Sequence, residues 1–172
     1  MRRKKSEKRM IGNDIVDLVL AKKESNWKRN RFLDKIFTIK EQVLIVDAEN
    51  PEIMVWNLWS RKEAAYKIYN RETGIRGYFP LQLECSSENT TFGTVTIKDK
   101  TFFTQSGIEN GCIYTIAVIE KENFKKIVRI DPAVEIFKKN GIPFIIDFDS
   151  NMEKPVSISH HGRFWEGVTL RD

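Results

Sequence analysis

Three groups of residues have the types and spacing that chemistry requires. The first lies in Trp59-Ser60-Arg61-Lys62-Glu63-Ala64-Ala65-Tyr66-Lys67. On a helix, Glu63 and Lys67 share one face about 6 Å apart. A carboxylate beside an ammonium suits a metal-bound phosphate: the acid holds Mg²⁺ and the lysine neutralises a phosphoryl oxygen. The same spacing also describes a solvated surface ion pair. The second group is Gly12-Asn13-Asp14. Its glycine allows close backbone approach, and Asp14, just past a strand's entry, can complete a metal site or simply cap a turn. The third is Val156-Ser157-Ile158-Ser159-His160-His161-Gly162. Strand alternation puts Ser157 and Ser159 on one face and His160 on the other. Hydroxyls and an imidazole there can bind phosphate, or can be the polar side of an edge strand. A Ser–His nucleophilic pair is disfavoured, because neighbours on a strand point apart.

The elements that must carry these groups follow from capping and periodicity. Residues 11–18 read as a short strand, and residues 26–37 as a helix with Trp27, Phe32, Ile36 and Phe37 on its buried side. Thr38 and Glu41 form a capping box opening a second helix. Asn50-Pro51 opens a third that runs to about Asn70, and Gly74 and Gly77 stop it. Residues 79–85, 91–98, 100–105 and 112–120 alternate with polar turns and predict antiparallel strands. A short helix over 132–140 and strands over 143–148 and 155–160 complete the chain. The fold class is α+β: an antiparallel β-sheet packed against a long helix and shorter helices.

Composition bounds the function classes. At 172 residues, 41% apolar and 31% charged, the chain suits one domain over residues 11–172. The net charge of +5 belongs to residues 1–10, a basic leader read as disordered, with Met10 a candidate start. The remainder balances 23 basic against 23 acidic residues, which argues against a nucleic-acid-binding body. No apolar run approaches the about 20 residues of a membrane span, and the expected location is the cytoplasm. Cys85 and Cys112 read as buried free thiols rather than zinc ligands.

Together the three groups form a pattern. Gly-x-Asp, then 44 residues, then Trp-Ser-x-Lys-Glu-Ala-x-x-Lys resembles the signature of the 4'-phosphopantetheinyl transferase superfamily. Arg31-Phe32, Phe37-Thr38 and Glu41 resemble the Arg-Phe…Phe-Thr-x-x-Glu segment of holo-[acyl-carrier-protein] synthases. Ser157-Ile158-Ser159-His160 is similar to the family's coenzyme A-binding Ser-His motif, and Gly141-Ile142-Pro143 to its Gly-Lys-Pro. The resemblance implies transfer of 4'-phosphopantetheine from coenzyme A to a serine of an apo acyl or peptidyl carrier protein, in fatty acid, polyketide or peptide synthesis. It makes Asp14 and Glu63 Mg²⁺ ligands, with waters completing the shell. Glu63 and Lys67 become the catalytic residues, Lys67 stabilising charge as 3',5'-ADP departs. Lys62, Lys67, Ser159 and His160 become coenzyme A contacts. The general base is left open between a carboxylate and a metal-bound water, with Asp17 a poor candidate.

Two departures carry further expectations. Ile142 stands where the motif has lysine, so Arg163 or a leader lysine is expected to supply the missing charge. The 96 residues between Glu63 and His160 are about twice the spacing of compact holo-synthases. By analogy with the trimeric enzymes, a homo-oligomer, preferably a trimer, is expected to complete the site across a subunit interface. Residues 22–35 carry a local charge of +4, and Arg29, Arg31 and Lys35 are candidates to dock an acidic carrier protein, or form a solvated face. The competing reading is an inactive module of the same fold that binds coenzyme A or a carrier. A nucleic-acid-binding domain would rest on the leader alone.

Overall fold

Asn50 and Pro51 open the longest element as their types require. The Asn50 side chain accepts the Ile53 N–H at 3.2 Å, proline fills the first turn, and Gly74 ends the helix at φ 69°. In the computed structural model, which describes residues 10–171, this helix runs Pro51–Thr73. In chain order the elements are β1 (Ile11–Asp17), α1 (Leu18–Glu24), α2 (Phe32–Ile36), α3 (Ile39–Val46), α4 (Pro51–Thr73), β2 (Glu84–Ser87), β3 (Phe92–Ile97), β4 (Lys100–Glu109), β5 (Cys112–Val118), β6 (Ile127–Ile130), β7 (Phe137–Lys139), β8 (Ile142–Ile146), β9 (Glu153–His161) and β10 (Phe164–Leu170). The capping box opens α3: Thr38 N–H donates to Glu41 Oε2 at 2.8 Å, and Thr38 Oγ1 accepts from Glu41 N–H.

The strands form two antiparallel five-stranded sheets, ordered β1-β5-β4-β3-β2 and β6-β10-β9-β8-β7. Helix α4 packs on the first sheet through Val55, Leu58, Ala65 and Ile68, which meet Val95, Phe102, Ile113 and Ala117. The second sheet lies on the other side of β1, where Ile11, Ile116 and Val118 cluster with Val168 and Leu170. Strand β1 is therefore covered on both faces and has no solvated side. Gly12 makes the inner contact possible: a Cβ there would stand 2.0 Å from the Ala64 carbonyl oxygen of α4. Across the sheets, Asn13 N–H donates to Ser157 Oγ at 2.9 Å, and its amide Nδ2 donates to the Glu166 carbonyl at 3.0 Å.

Several expectations need correction. The helix expected over 26–37 shrinks to α2, because Asn26 Oδ1 takes the Lys28 N–H in a side-chain turn and Arg31 adopts φ 62°. Asp17 instead caps the unexpected α1, accepting from Val19 and Leu20. No helix forms over 132–140. Asp131 starts a turn, and Asn140 and Gly141, at φ 51° and 78°, make the two-residue hairpin joining β7 to β8. Residues 80–82 are a 3₁₀ turn, which delays β2 to Glu84. Strands β6 and β10 complete the second sheet from segments with no assigned element. Both cysteines are free and buried, as expected. Apart from Met10, the basic leader lies outside the described residues. No helix among the described residues is long and apolar enough to cross a membrane.

Candidate active site

Three elements converge on one place. Strand β1 brings Asp14, α4 brings Glu63 and Lys67 on successive turns, and β9 brings Ser159 and His160. Asp14 and Glu63 line one cleft together with Glu24, Trp59, His160 and His161. Burial raises Asp14 to about 6, opposed by the Lys67 charge. Burial raises Glu63 to about 7, and the Asp14 charge adds to it. Asp14 Oδ2 is buried and accepts no hydrogen bond. Two mutually repelling carboxylates, one with an orphaned oxygen and neither paired with an arginine, are hard oxygen donors that suit a small divalent cation. Among the described residues no third His, Cys, Asp or Glu joins them in a metal-holding group.

Lys67 sits beside this pair with its own proton affinity lowered by burial and raised again by Asp14 and Glu63. Its ammonium donates to the Asn13 carbonyl at 2.6 Å, to the Ile158 carbonyl at 3.0 Å and to Ser159 Oγ. It thus staples β1 to β9 while holding positive charge next to the carboxylates. Ser159 Oγ lies 3.1 Å from the Asn13 carbonyl oxygen and 3.5 Å from Asp14 Oδ1. Ser157 is buried and occupied by the Asn13 N–H. His160 is exposed and borders a second groove of about 370 Å³, lined by Lys67, Arg71, Lys138 and Ile142 among others. An acidic cleft and a basic groove therefore meet at His160.

Lys62 is not in this site, which corrects its expected contact with coenzyme A. Its ammonium is 0% exposed and donates to Glu41 Oε2 at 2.6 Å and to the Ile36 and Pro80 carbonyls at 2.8 Å each. All three N–H groups are consumed, and no surface is left for a ligand. Arg163 does not replace the charge missing at Ile142 either. Its guanidinium makes a two-point pair with Asp17, at 2.9 and 3.0 Å, which holds the Asp17 carboxyl well below its usual range. Asp17 is thereby spent on the cap and the ion pair. His161 Nδ1 accepts the Asp17 N–H at 2.9 Å, so Nε2 carries the proton facing Glu24 in the neutral ring. The docking candidates Arg29, Arg31 and Lys35 are all exposed. Asp14, Glu63, Lys67, Ser159 and His160 meet within one chain.

Sequence reasoning missed Tyr78 and Arg71. The Tyr78 hydroxyl is buried with no hydrogen-bond partner among the described residues, and burial, then the nearby Glu63 charge, hold it neutral. Tyr78 packs edge-on against Trp59 and Tyr66, an aromatic wall invisible in local sequence. Arg71 continues the Glu63–Lys67 ladder by one more turn, a signal lost when the helix was ended near Asn70.

Comparisons with known proteins bear on the family and the fold. The profile of the 4'-phosphopantetheinyl transferase superfamily matches residues 10–117, which include Asp14, Glu63 and Lys67 but not Ser159 or His160. No curated protein matches the chain in sequence. The fold is similar to the holo-[acyl-carrier-protein] synthase of Neisseria meningitidis, with 20% identity and a TM-score of 0.53, covering 64% of this chain and 97% of that one. It is similar to the Helicobacter pylori synthase, solved in complex with coenzyme A, at 19% identity and a TM-score of 0.51, covering 64% and 100%. The Thermotoga maritima synthase gives 16% and 0.50 over 76% and 77%. With the profile spanning β1 through most of β5, the chain belongs to the 4'-phosphopantetheinyl transferase superfamily and is a phosphopantetheinyl transferase, with a fold similar to that of holo-[acyl-carrier-protein] synthases.

Proposed function

We propose that this transferase moves 4'-phosphopantetheine from coenzyme A to the serine of an apo acyl or peptidyl carrier protein in a Mg²⁺-dependent reaction. The observation that carries the reading is the meeting of the Asp14–Glu63 cleft with the basic groove at His160. Asp14 and Glu63 would hold Mg²⁺. Bound there, the cation supplies neutralisation of the coenzyme A diphosphate and of the charge that grows on the leaving group. Two protein carboxylates leave most positions to water and phosphate, as Mg²⁺ favours.

The chain's own residues do the rest. Lys67 lends positive charge at the diphosphate end without leaving its staple. Ser159 and His160 line the approach of the nucleotide phosphates. The carrier serine Oγ passes its proton to a carboxylate of the cleft or to solvent and forms a bond to the β-phosphorus, the bond from that phosphorus to the bridging oxygen breaks, and 3',5'-ADP leaves with the electron pair. Such transfer depends on positioning and electrostatics, which a preformed cleft provides. Arg29, Arg31 and Lys35 would meet the acidic face of the carrier.

The test is to incubate the full chain with coenzyme A, Mg²⁺ and a panel of apo-carriers, then weigh the carriers. One added phosphopantetheine group is expected, reduced at least about a hundredfold in rate by Asp14→Asn or Glu63→Gln. Coenzyme A binding with no gain of mass on any carrier would favour the inactive binding module instead.

A further inference from the structure

The groove beside Lys67 contains a guanidinium that nothing among the described residues neutralises. Arg71 lines it from α4, four residues beyond Lys67 and so about 6 Å further along the helix. One nitrogen, Nη2, donates to the Val156 carbonyl at 2.6 Å and to the Pro143 carbonyl at 3.4 Å. The other two, Nε and Nη1, are shielded from water and have no acceptor. Burial alone pushes Arg71 down to about 10, with no carboxylate contributing. A half-buried, fully charged fork with unused donors and no counter-charge is costly unless an anion joins it. Lys138 lines the same groove, and Ile142 and Pro143 face it without charge. The groove is thus an anion site whose strongest donor is Arg71.

We infer that Arg71 binds the ribose 3'-phosphate of coenzyme A and selects the 3'-phosphorylated coenzyme over its dephosphorylated form. This rests on the proposed use of coenzyme A. The reacting diphosphate belongs at the carboxylates and Lys67, where its charge and a cation's are both met. Beyond the diphosphate, coenzyme A carries one further charged group, the 3'-phosphate. Arg71 lies one helical turn further along the groove from Lys67. A small rotation of its side chain turns the unused Nε and Nη1 donors towards that phosphate in the two-point manner guanidinium allows.

Isothermal titration of the full chain, wild type, Arg71→Gln and Arg71→Lys, with coenzyme A and with dephospho-coenzyme A tests this. The wild type is expected to prefer coenzyme A by about tenfold to a hundredfold, the range for charge-assisted hydrogen bonds. Arg71→Gln is expected to erase that preference by weakening coenzyme A alone, and Arg71→Lys to keep part of it. Because the dephosphorylated ligand reports the rest of the groove, equal weakening of both ligands, or of neither, overturns the assignment. A wild type that transfers phosphopantetheine but binds both forms alike also overturns it and leaves the transfer reading intact. A wild type that prefers coenzyme A through Arg71 yet modifies no carrier sustains Arg71 and sinks the transfer reading.

Discussion

Lys62 and Glu41 form an ion pair with both side chains 0% exposed, Nζ to Oε2 at 2.6 Å. Glu41 also accepts the Thr38 N–H and, at 2.7 Å, the Cys85 N–H. Two motif residues from distant segments therefore join α3, α4 and β2, and their work is architectural. Lys62→Met should cost about 3–5 kcal/mol of stability by stranding a buried carboxylate. Urea unfolding measures this, and the KM for coenzyme A should scarcely move. A large rise in that KM at unchanged stability would return Lys62 to the binding site.

The carboxylate cleft sets a pH dependence. Asp14 and Glu63 rise from ordinary values of 3.8 and 4.5 to about 6 and about 7 on folding. The folded state then holds more protons than the unfolded one between about pH 4 and 7, so the pair's contribution to stability falls across that window and levels off above it. Mg²⁺ should raise the melting temperature more at pH 8 than at pH 5.5, where protons compete with it. Thermal scans with and without MgCl₂ should show this difference, and Glu63→Gln should flatten it. A Mg²⁺ shift of equal size at both pH values would disprove the assignment.

Charge reversal at Arg29 and Arg31 should raise the KM for the carrier about tenfold while leaving that for coenzyme A unchanged, with the effect shrinking in high salt. Steady-state kinetics with each substrate varied in turn separates the two. An unmoved carrier KM would place docking elsewhere.

If Asp14, Glu63, Lys67, Ser159 and His160, which all come from one chain, suffice for the transfer, activity per chain should not depend on assembly. Diluting the enzyme about a hundredfold should leave specific activity constant, whereas a site shared between subunits would lose it by mass action. Light scattering on the same samples records the oligomer present.

Gly12→Ala should be poorly tolerated, because the added methyl would sit 2.0 Å from a main-chain oxygen of α4 that cannot retreat alone. A loss of about 1–3 kcal/mol or more is expected. Calorimetry would reveal it, and wild-type stability would mean β1 and α4 are not in this contact.

What could be read in advance was what is local. Asn50, Pro51, Gly74 and the Thr38–Glu41 box act within one or two turns, and they set α3 and α4 as expected. The convergence of Asp14 with Glu63 was reached only through the motif, because no local rule brings β1 onto α4. The tail failed for the opposite reasons. Asn140-Gly141 is a two-residue hairpin signal that was taken for a helix end. Strand β10 exists through its pairing with β9 and β6, not through its own periodicity. Motif membership says nothing of the burial of Lys62, and a helix expected to end near Asn70 does not carry Arg71.

The hydrogen bonds that tie Asn13 to Ser157 and to the Glu166 carbonyl span 144 and 153 residues of chain. Synthesis must therefore run on past residue 166 before β1 can meet the strands that finish its pocket. A nascent chain emerging from the ribosome accordingly carries both acidic residues and the lysine early, yet has no finished pocket until β9 and β10 have emerged. Losing those strands to premature termination would leave a transferase with its signature intact and its pocket unbuilt.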